Sequence, residues 1–376
     1  MAFALTGARI FDGENYRDDH AVVIEGRRVA AVVREADLAA TAERRRLAGG
    51  LLAPGFIDVQ VNGGGGALLN DDPSADGVRR IAQSHRRYGT TGMLPTVITD
   101  APAVTAAAIA AVREARAQGV PGILGIHIEG PFLDVGRKGA HAARFIRDMA
   151  EADVEQIATA HCGAVMLTLA PNKVKPDLIR KLADRGVLVS LGHAEAQAAD
   201  VQAALAAGAR AFTHLYNAMS QMTGREPGMV GVALSDTGSF AGLIADGFHV
   251  HDTALRVALA AKPHGRLMLI TDAMAAAADG PDRFELQGRS VVLNNGRLQL
   301  EDGTLAGSNL TMDEAVRHCV SKLGVDLADA LSMASLSPAA FLRRDDELGR
   351  IAPGYLASLV HLGDDLRVVE TWIDGK

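Results

Sequence analysis

Leu267-Met268-Leu269-Ile270-Thr271-Asp272-Ala273-Met274 decides how this chain is read. An unbroken apolar run that stops at a carboxylate describes a parallel strand covered on both faces, since a strand with one wet face would alternate. Working outward, the pattern recurs three times toward the N-terminus. Gly125-Ile126-His127-Ile128-Glu129-Gly130-Pro131 closes on Glu129, Val187-Leu188-Val189-Ser190-Leu191-Gly192-His193 on His193, and Phe212-Thr213-His214 on His214. Four groups able to hold a metal or move a proton, at the ends of four strands, predict one site where parallel strands stop. The pattern reads as that of a metal-dependent hydrolase.

Around these runs, apolar strand candidates alternate with Ala-rich helix formers. Eight strands are expected, over 52–59, 92–98, 123–128, 165–170, 187–191, 211–213, 241–245 and 267–271. Intervening helices such as 102–118, 175–185 and 196–207 end near Gly119, Gly186 and Gly208, as helices that stop in the left-handed region do. Eight such units predict an α/β fold, a (β/α)8 barrel whose site lies at the C-terminal ends of its strands. A doubly wound open sheet is the alternative, but no G-x-G-x-x-G follows an early strand. Residues 283–305, with Gly288 and Asn295-Gly296 as turns, look like a hairpin inserted after the eighth strand, placed to cover part of the site. Short strand-like runs return at both ends of the chain. They predict a small composite β domain from residues 1–50 and 345–376, with the barrel over 51–344.

The chain has 376 residues, 48% hydrophobic and 22% charged, with a formal net charge of −7. That balance, without a Lys/Arg run, argues against a nucleic-acid surface. Two cysteines, Cys162 and Cys319, exclude a disulfide framework and fit a reducing compartment. No basic segment followed by an apolar core opens the chain, and no run reaches the roughly 18 apolar residues of a membrane span. A cytoplasmic protein that does not touch membranes is expected.

Glu129, His193 and His214 form a plausible ligand set for one divalent cation, leaving a position for water. Their spacing is too wide for one helix and suits strands three, five and six. Any one of them alone would ordinarily be a packing or loop residue. Asp272 is the expected general base and acid; its plainer role would be to cap an Ala-rich helix over 273–278. Zinc suits two imidazoles and a carboxylate, and iron, cobalt or manganese could occupy the same set.

His127-Ile128-Glu129-Gly130-Pro131-Phe132, Gly192-His193-Ala194-Glu195-Ala196, Thr213-His214-Leu215-Tyr216-Asn217-Ala218-Met219, Gly224-Arg225-Glu226-Pro227-Gly228 and Thr271-Asp272-Ala273-Met274 together resemble the N-acetylglucosamine-6-phosphate deacetylase family of the amidohydrolase superfamily. Pro54-Gly55-Phe56-Ile57-Asp58-Val59-Gln60-Val61-Asn62-Gly63 and Leu305-Ala306-Gly307-Ser308 agree with it. The resemblance implies deacetylation of N-acetyl-D-glucosamine 6-phosphate to glucosamine 6-phosphate and acetate. A metal-activated water would attack, with Asp272 passing the proton. The galactosamine epimer or another amide is the alternative substrate. It also implies that His141 contacts the sugar or the amide oxygen, beside Ala140, and that Asn217 and Ala218 bind the sugar phosphate. Leu305, Ala306 and Gly307 would contact substrate through their backbone. Arg225 and His249 would reach the phosphate from the partner subunit of a homodimer. The planar fork of arginine suits phosphate, and glycine and proline flank Arg225.

Two features depart from simpler expectations. Many amidohydrolases carry His-x-His at the end of the first strand, which permits two metals. Gln60 and Asn62 stand there in this chain, and neutral amides bind transition metals poorly, so one tight metal is expected. Phe248-His249-Val250-His251 contains a His-x-His of its own, in which His251 is read as a residue at a helix start.

Overall fold

Eight parallel strands lie side by side in sequence order in the computed structural model, which describes residues 2–376. They are Phe56–Val61, Thr90–Ile98, Gly125–Glu129, Ala164–Leu169, Leu188–Leu191, Ala211–Phe212, Phe240–Leu243 and Leu267–Leu269. Nearly every residue in them is buried, which is why their sequences run apolar without alternation. Backbone bonds close the ring: Asp272 N donates to Gln60 O at 3.0 Å and Asn62 N to Ala273 O at 2.9 Å. The fold is a (β/α)8 barrel.

The outer helices form where the sequence predicts them, at Pro102–Ala117, Pro176–Asp184 and Ala198–Ala206. Pro102 and Pro176 take the first helical position, where a missing N–H costs nothing. The helix at Pro176–Asp184 turns Leu178, Ile179 and Leu182 inward, the spacing that one apolar stripe requires.

The strand expected over 52–59 is in fact two. Leu51–Pro54 pairs with Leu359–Leu362 and Arg9–Phe11 in a five-stranded sheet built from both ends of the chain, and only Phe56–Val61 enters the barrel. Gly55 is the joint: a Cβ there would lie 2.2 Å from the Thr91 side chain, so any other residue would push the two elements apart. A four-stranded sheet of Ala2–Thr6, His20–Glu25, Arg28–Arg34 and Arg44–Arg46 faces it, and Phe3, Leu5, Ile10, Ile24, Leu52, Leu359 and Trp372 fill the space between. No helix follows Asp272; residues 275–279 are turn. The segment after the eighth strand is a three-stranded antiparallel sheet, Arg283–Leu286, Arg289–Asn294 and Arg297–Leu300. Its corners, Gln287-Gly288 and Asn295-Gly296, all have positive φ, as tight hairpin turns demand.

Candidate metal centre and active site

The barrel rim presents its chemistry through unusual backbone. Glu129 is the last residue of the third strand, while His193, His214 and Asp272 follow the fifth, sixth and eighth with φ of 49°, 32° and 53°. Left-handed conformations at residues other than glycine gather at sites that position side chains for function.

Glu129, His193 and His214 are all buried. His193 Nε2 lies 3.3 Å and His214 Nε2 3.1 Å from Glu129 Oε1, and the two ring nitrogens are 3.0 Å apart. His193 Nδ1 lies 2.9 Å from the Arg137 carbonyl, so that nitrogen carries the proton and Nε2 presents a lone pair. An imidazole lone pair, a second imidazole nitrogen and a carboxylate oxygen aimed at one point repel each other unless a cation lies between them. The donor set therefore fits a divalent metal, and the three ligand atoms lie within 4.8 Å of one another.

Gln60 and Asn62 do more than stand aside from the metal. Gln60 Nε2 donates to both Glu129 Oε1 and Asp272 Oδ1 at 3.1 Å, and Asn62 Nδ2 to Asp272 Oδ1 at 2.7 Å. One amide thus links a candidate metal ligand to the candidate base. The only sequence signal for this was their placement two residues apart at a strand end, on one face. Burial, followed by the nearby Glu129 charge, raises Asp272 to about 6; His214, His249 and the Asn62 hydrogen bond oppose the rise. His127 shares the inward face of Glu129 one layer down, where its Nε2 lies 2.8 Å from Thr168 Oγ1. Thr168 Oγ1 in turn lies 2.6 Å from Thr213 Oγ1, and Ser190 Oγ 2.6 Å from the same hydroxyl. Burial lowers His127 to about 4, so it fills the barrel as a neutral ring.

A cavity of about 270 Å³ opens over this cluster, and Ala140, His141, Asn217, Ala218, Leu305, Ala306 and Gly307 all line it. The His141 ring is buried, 4.4 Å from that of His193 and edge-on to it. Burial above all lowers it to about 3. His249 lines the same cavity, its Nδ1 2.6 Å from Asp246 Oδ2. The loop after the seventh strand thus brings His249, expected to reach a partner's phosphate, to the cavity lining of its own chain. Arg225 is exposed in a turn where Thr223 N donates to Glu226 O, outside the cavity lining. His251 caps the helix Asp252–Ala261, accepting from Thr253 N at Nδ1. A larger cleft of about 440 Å³ lies at the opposite end of the barrel, lined by Thr91 near the start of the second strand, by Ile123 just before the third, and by Arg27, Arg86, Arg116 and Arg344. Among the described residues, Glu129, His193 and His214 form the one cluster suited to a metal.

Comparison with known proteins agrees with this geometry. Residues 51–376 match the Amidohydrolase family and residues 2–52 the NagA composite domain. An N-acetylgalactosamine-6-phosphate deacetylase of Shewanella sp. (strain ANA-3) is 44% identical, over 88% of this chain and 84% of the relative. An N-acetylglucosamine-6-phosphate deacetylase of Homo sapiens is 38% identical, over 98% of this chain and 89% of the relative. The crystal structure of the N-acetylglucosamine-6-phosphate deacetylase of Pasteurella multocida superposes with a TM-score of 0.97 at 33% identity, covering 100% of this chain and 99% of that one. With the family matched over residues 51–376 and the whole fold superposing on that structure, the chain is a hydrolase that belongs to the amidohydrolase family.

Proposed function

We propose that the chain hydrolyses the N-acetyl amide of N-acetyl-D-glucosamine 6-phosphate to glucosamine 6-phosphate and acetate. The observation that carries the reading is the convergence of Glu129, His193 and His214 on one point, with Asp272 tied to Glu129 through Gln60. A divalent metal held by those three side chains would supply a Lewis acid and bring the pKa of a water to about 7. Asp272 Oδ1 is occupied by Gln60 and Asn62, which leaves Oδ2 to take the proton from the attacking water and return it to the departing nitrogen. His141, kept neutral by burial, offers a ring N–H to the amide oxygen as charge builds there. Asn217, the Ala218 backbone and His249 orient the sugar phosphate, and Leu305, Ala306 and Gly307 hold its other face through their backbone.

Zinc is the proposed metal, one per chain, because two imidazoles and a carboxylate suit it. The working unit is a homodimer in which Arg225, exposed and outside its own cavity, binds the phosphate of the neighbouring site. Met222 beside it is 58% exposed, as a residue awaiting a partner surface would be. A cytoplasmic setting is supported by two free, buried cysteines; among the described residues no helix is long and apolar enough to cross a membrane.

Acetate release from the glucosamine substrate, lost on chelation and restored by zinc, is the expected result. No release from zinc-loaded protein overturns the reading. A second reading, the galactosamine epimer, is favoured by the name of the 44% identical relative, and the ratio of kcat/KM for the two sugars decides between them.

A further inference from the structure

Ile98, Met274 and Leu286 line the cavity around Asp272 without a part in the chemistry above, and so does the side chain of Ala306, whose backbone alone was used; they are exposed by 6%, 3%, 1% and 0%. The rest of the lining is largely polar, with Asn62, His141, Asn217, His249 and Thr304. The apolar residues come from two parts of the chain, the barrel rim and the inserted sheet. Ile98 pairs in register with Glu129 on the next strand, and Met274 follows Asp272 by two residues. Leu286 ends the first strand of the inserted sheet, and Ala306 lies on the segment returning from it.

This wall is held rigidly. The inserted sheet buries Leu286, Val291, Leu298 and Leu300 in one cluster with Ile98, Met274 and Ala306. Gln287 Nε2 fastens the sheet's corner to Thr99 O and Asp100 Oδ2, both at 2.8 Å, and Arg289 donates to Ala140 O. Met274 lies so close to Gly307 that a Cβ there would come within 2.4 Å of its Cγ.

A hexosamine phosphate is polar almost everywhere except at its acyl methyl. With the amide carbon beside Asp272, the methyl has this apolar sector next to it. We propose that Ile98, Met274, Leu286 and Ala306 form the seat of the acyl group, and that Met274 and Leu286 set the length of acyl chain the enzyme removes. The inserted sheet then serves as the back wall of that seat. The inference rests on the deacetylase reading.

A buried, anchored wall rejects added methylenes, each typically worth ~10–200-fold in discrimination. The test compares kcat/KM for N-acetyl-, N-propionyl- and N-butyryl-glucosamine 6-phosphate, or the galacto series if that epimer is preferred. Zinc-loaded wild-type protein is set beside Leu286→Ala and Met274→Ala, with zinc content and circular dichroism recorded for each. Wild type is expected to lose at least ~10-fold per added methylene, and each variant to narrow the acetyl-to-butyryl ratio by ~10-fold or more. Should Leu286→Ala not fold, the ratio in Met274→Ala decides. Equal turnover of acetyl and butyryl by wild type, or an unchanged ratio in the folded variants, overturns the proposal while leaving deacetylation standing. Failure of wild type on every acetylated sugar removes the deacetylase reading and this inference with it.

Discussion

Gln60 and Asn62 leave the first barrel strand on the same rim from which His193 and His214 leave the fifth and sixth. Both pairs are polar and border the two carboxylates Glu129 and Asp272, yet they present opposite faces to them. The histidines turn ring nitrogens toward its carboxylate, one of them with its other nitrogen held by the Arg137 carbonyl; the amides turn N–H groups toward Glu129 and Asp272. Converging lone pairs collect a cation, whereas converging N–H donors collect an anion. One rim therefore gathers a metal on one side and a poised carboxylate on the other.

The largest effect should come from Asp272→Asn, which keeps the shape of the side chain and removes its basicity. We expect kcat to fall by ~10²–10⁴-fold with metal content unchanged, checked by elemental analysis beside the acetate assay. Loss of metal in that variant would erase the division between the two sides. Next, Gln60→Leu removes hydrogen bonds to two carboxylates, each worth about 1.5–3 kcal/mol. A drop of ~10–100-fold in kcat together with weaker retention of metal on dialysis is expected, because this amide touches Glu129 as well as Asp272. Asn62→Leu touches only Asp272 and should lower kcat less, with metal binding intact. Identical behaviour of the two variants would mean that the amides merely fill space.

A last effect, on stability and not on turnover, concerns what holds the first-strand end in place. His85 is fully buried, with Nε2 2.8 Å from the Gly63 carbonyl. Burial, only partly offset by that bond, lowers it from 6.5 to about 4. Between those values the unfolded chain binds a proton that the folded chain does not, so this stability is complete above pH ~6.5 and is lost as pH falls toward ~4. The loss amounts to about 3 kcal/mol, measurable as a falling urea midpoint. A His85→Gln variant should show a flatter profile over that window, and an unaltered slope would count against the assignment.

Much of this was legible in the sequence because strand ends are marked by chemistry. Unbroken apolar runs stopping at Glu129, His193, His214 and Asp272 disclosed the barrel and the cluster that its rim gathers. The apolar signal could not show where one sheet hands the chain to another: 52–59 reads as a single run, and only the press of Thr91 against Gly55 reveals the joint. Nor could it orient side chains across the ring. That Gln60 bridges two carboxylates depends on strands one, three and eight meeting at one point, and that His249 lines the cavity of its own chain depends on the path of its loop. The inserted sheet announced its turns through glycine and asparagine but not the cluster it builds with Ile98 and Met274.

The left-handed backbone at His193, His214 and Asp272 has a consequence for descent. Each such conformation costs about 1 kcal/mol, a noticeable share of a folded margin of about 5–15 kcal/mol, and glycine would adopt it freely. A lineage freed from the need for turnover would gain robustness by drifting to glycine at these three corners. Histidine and aspartate persist there only while catalysis is under selection.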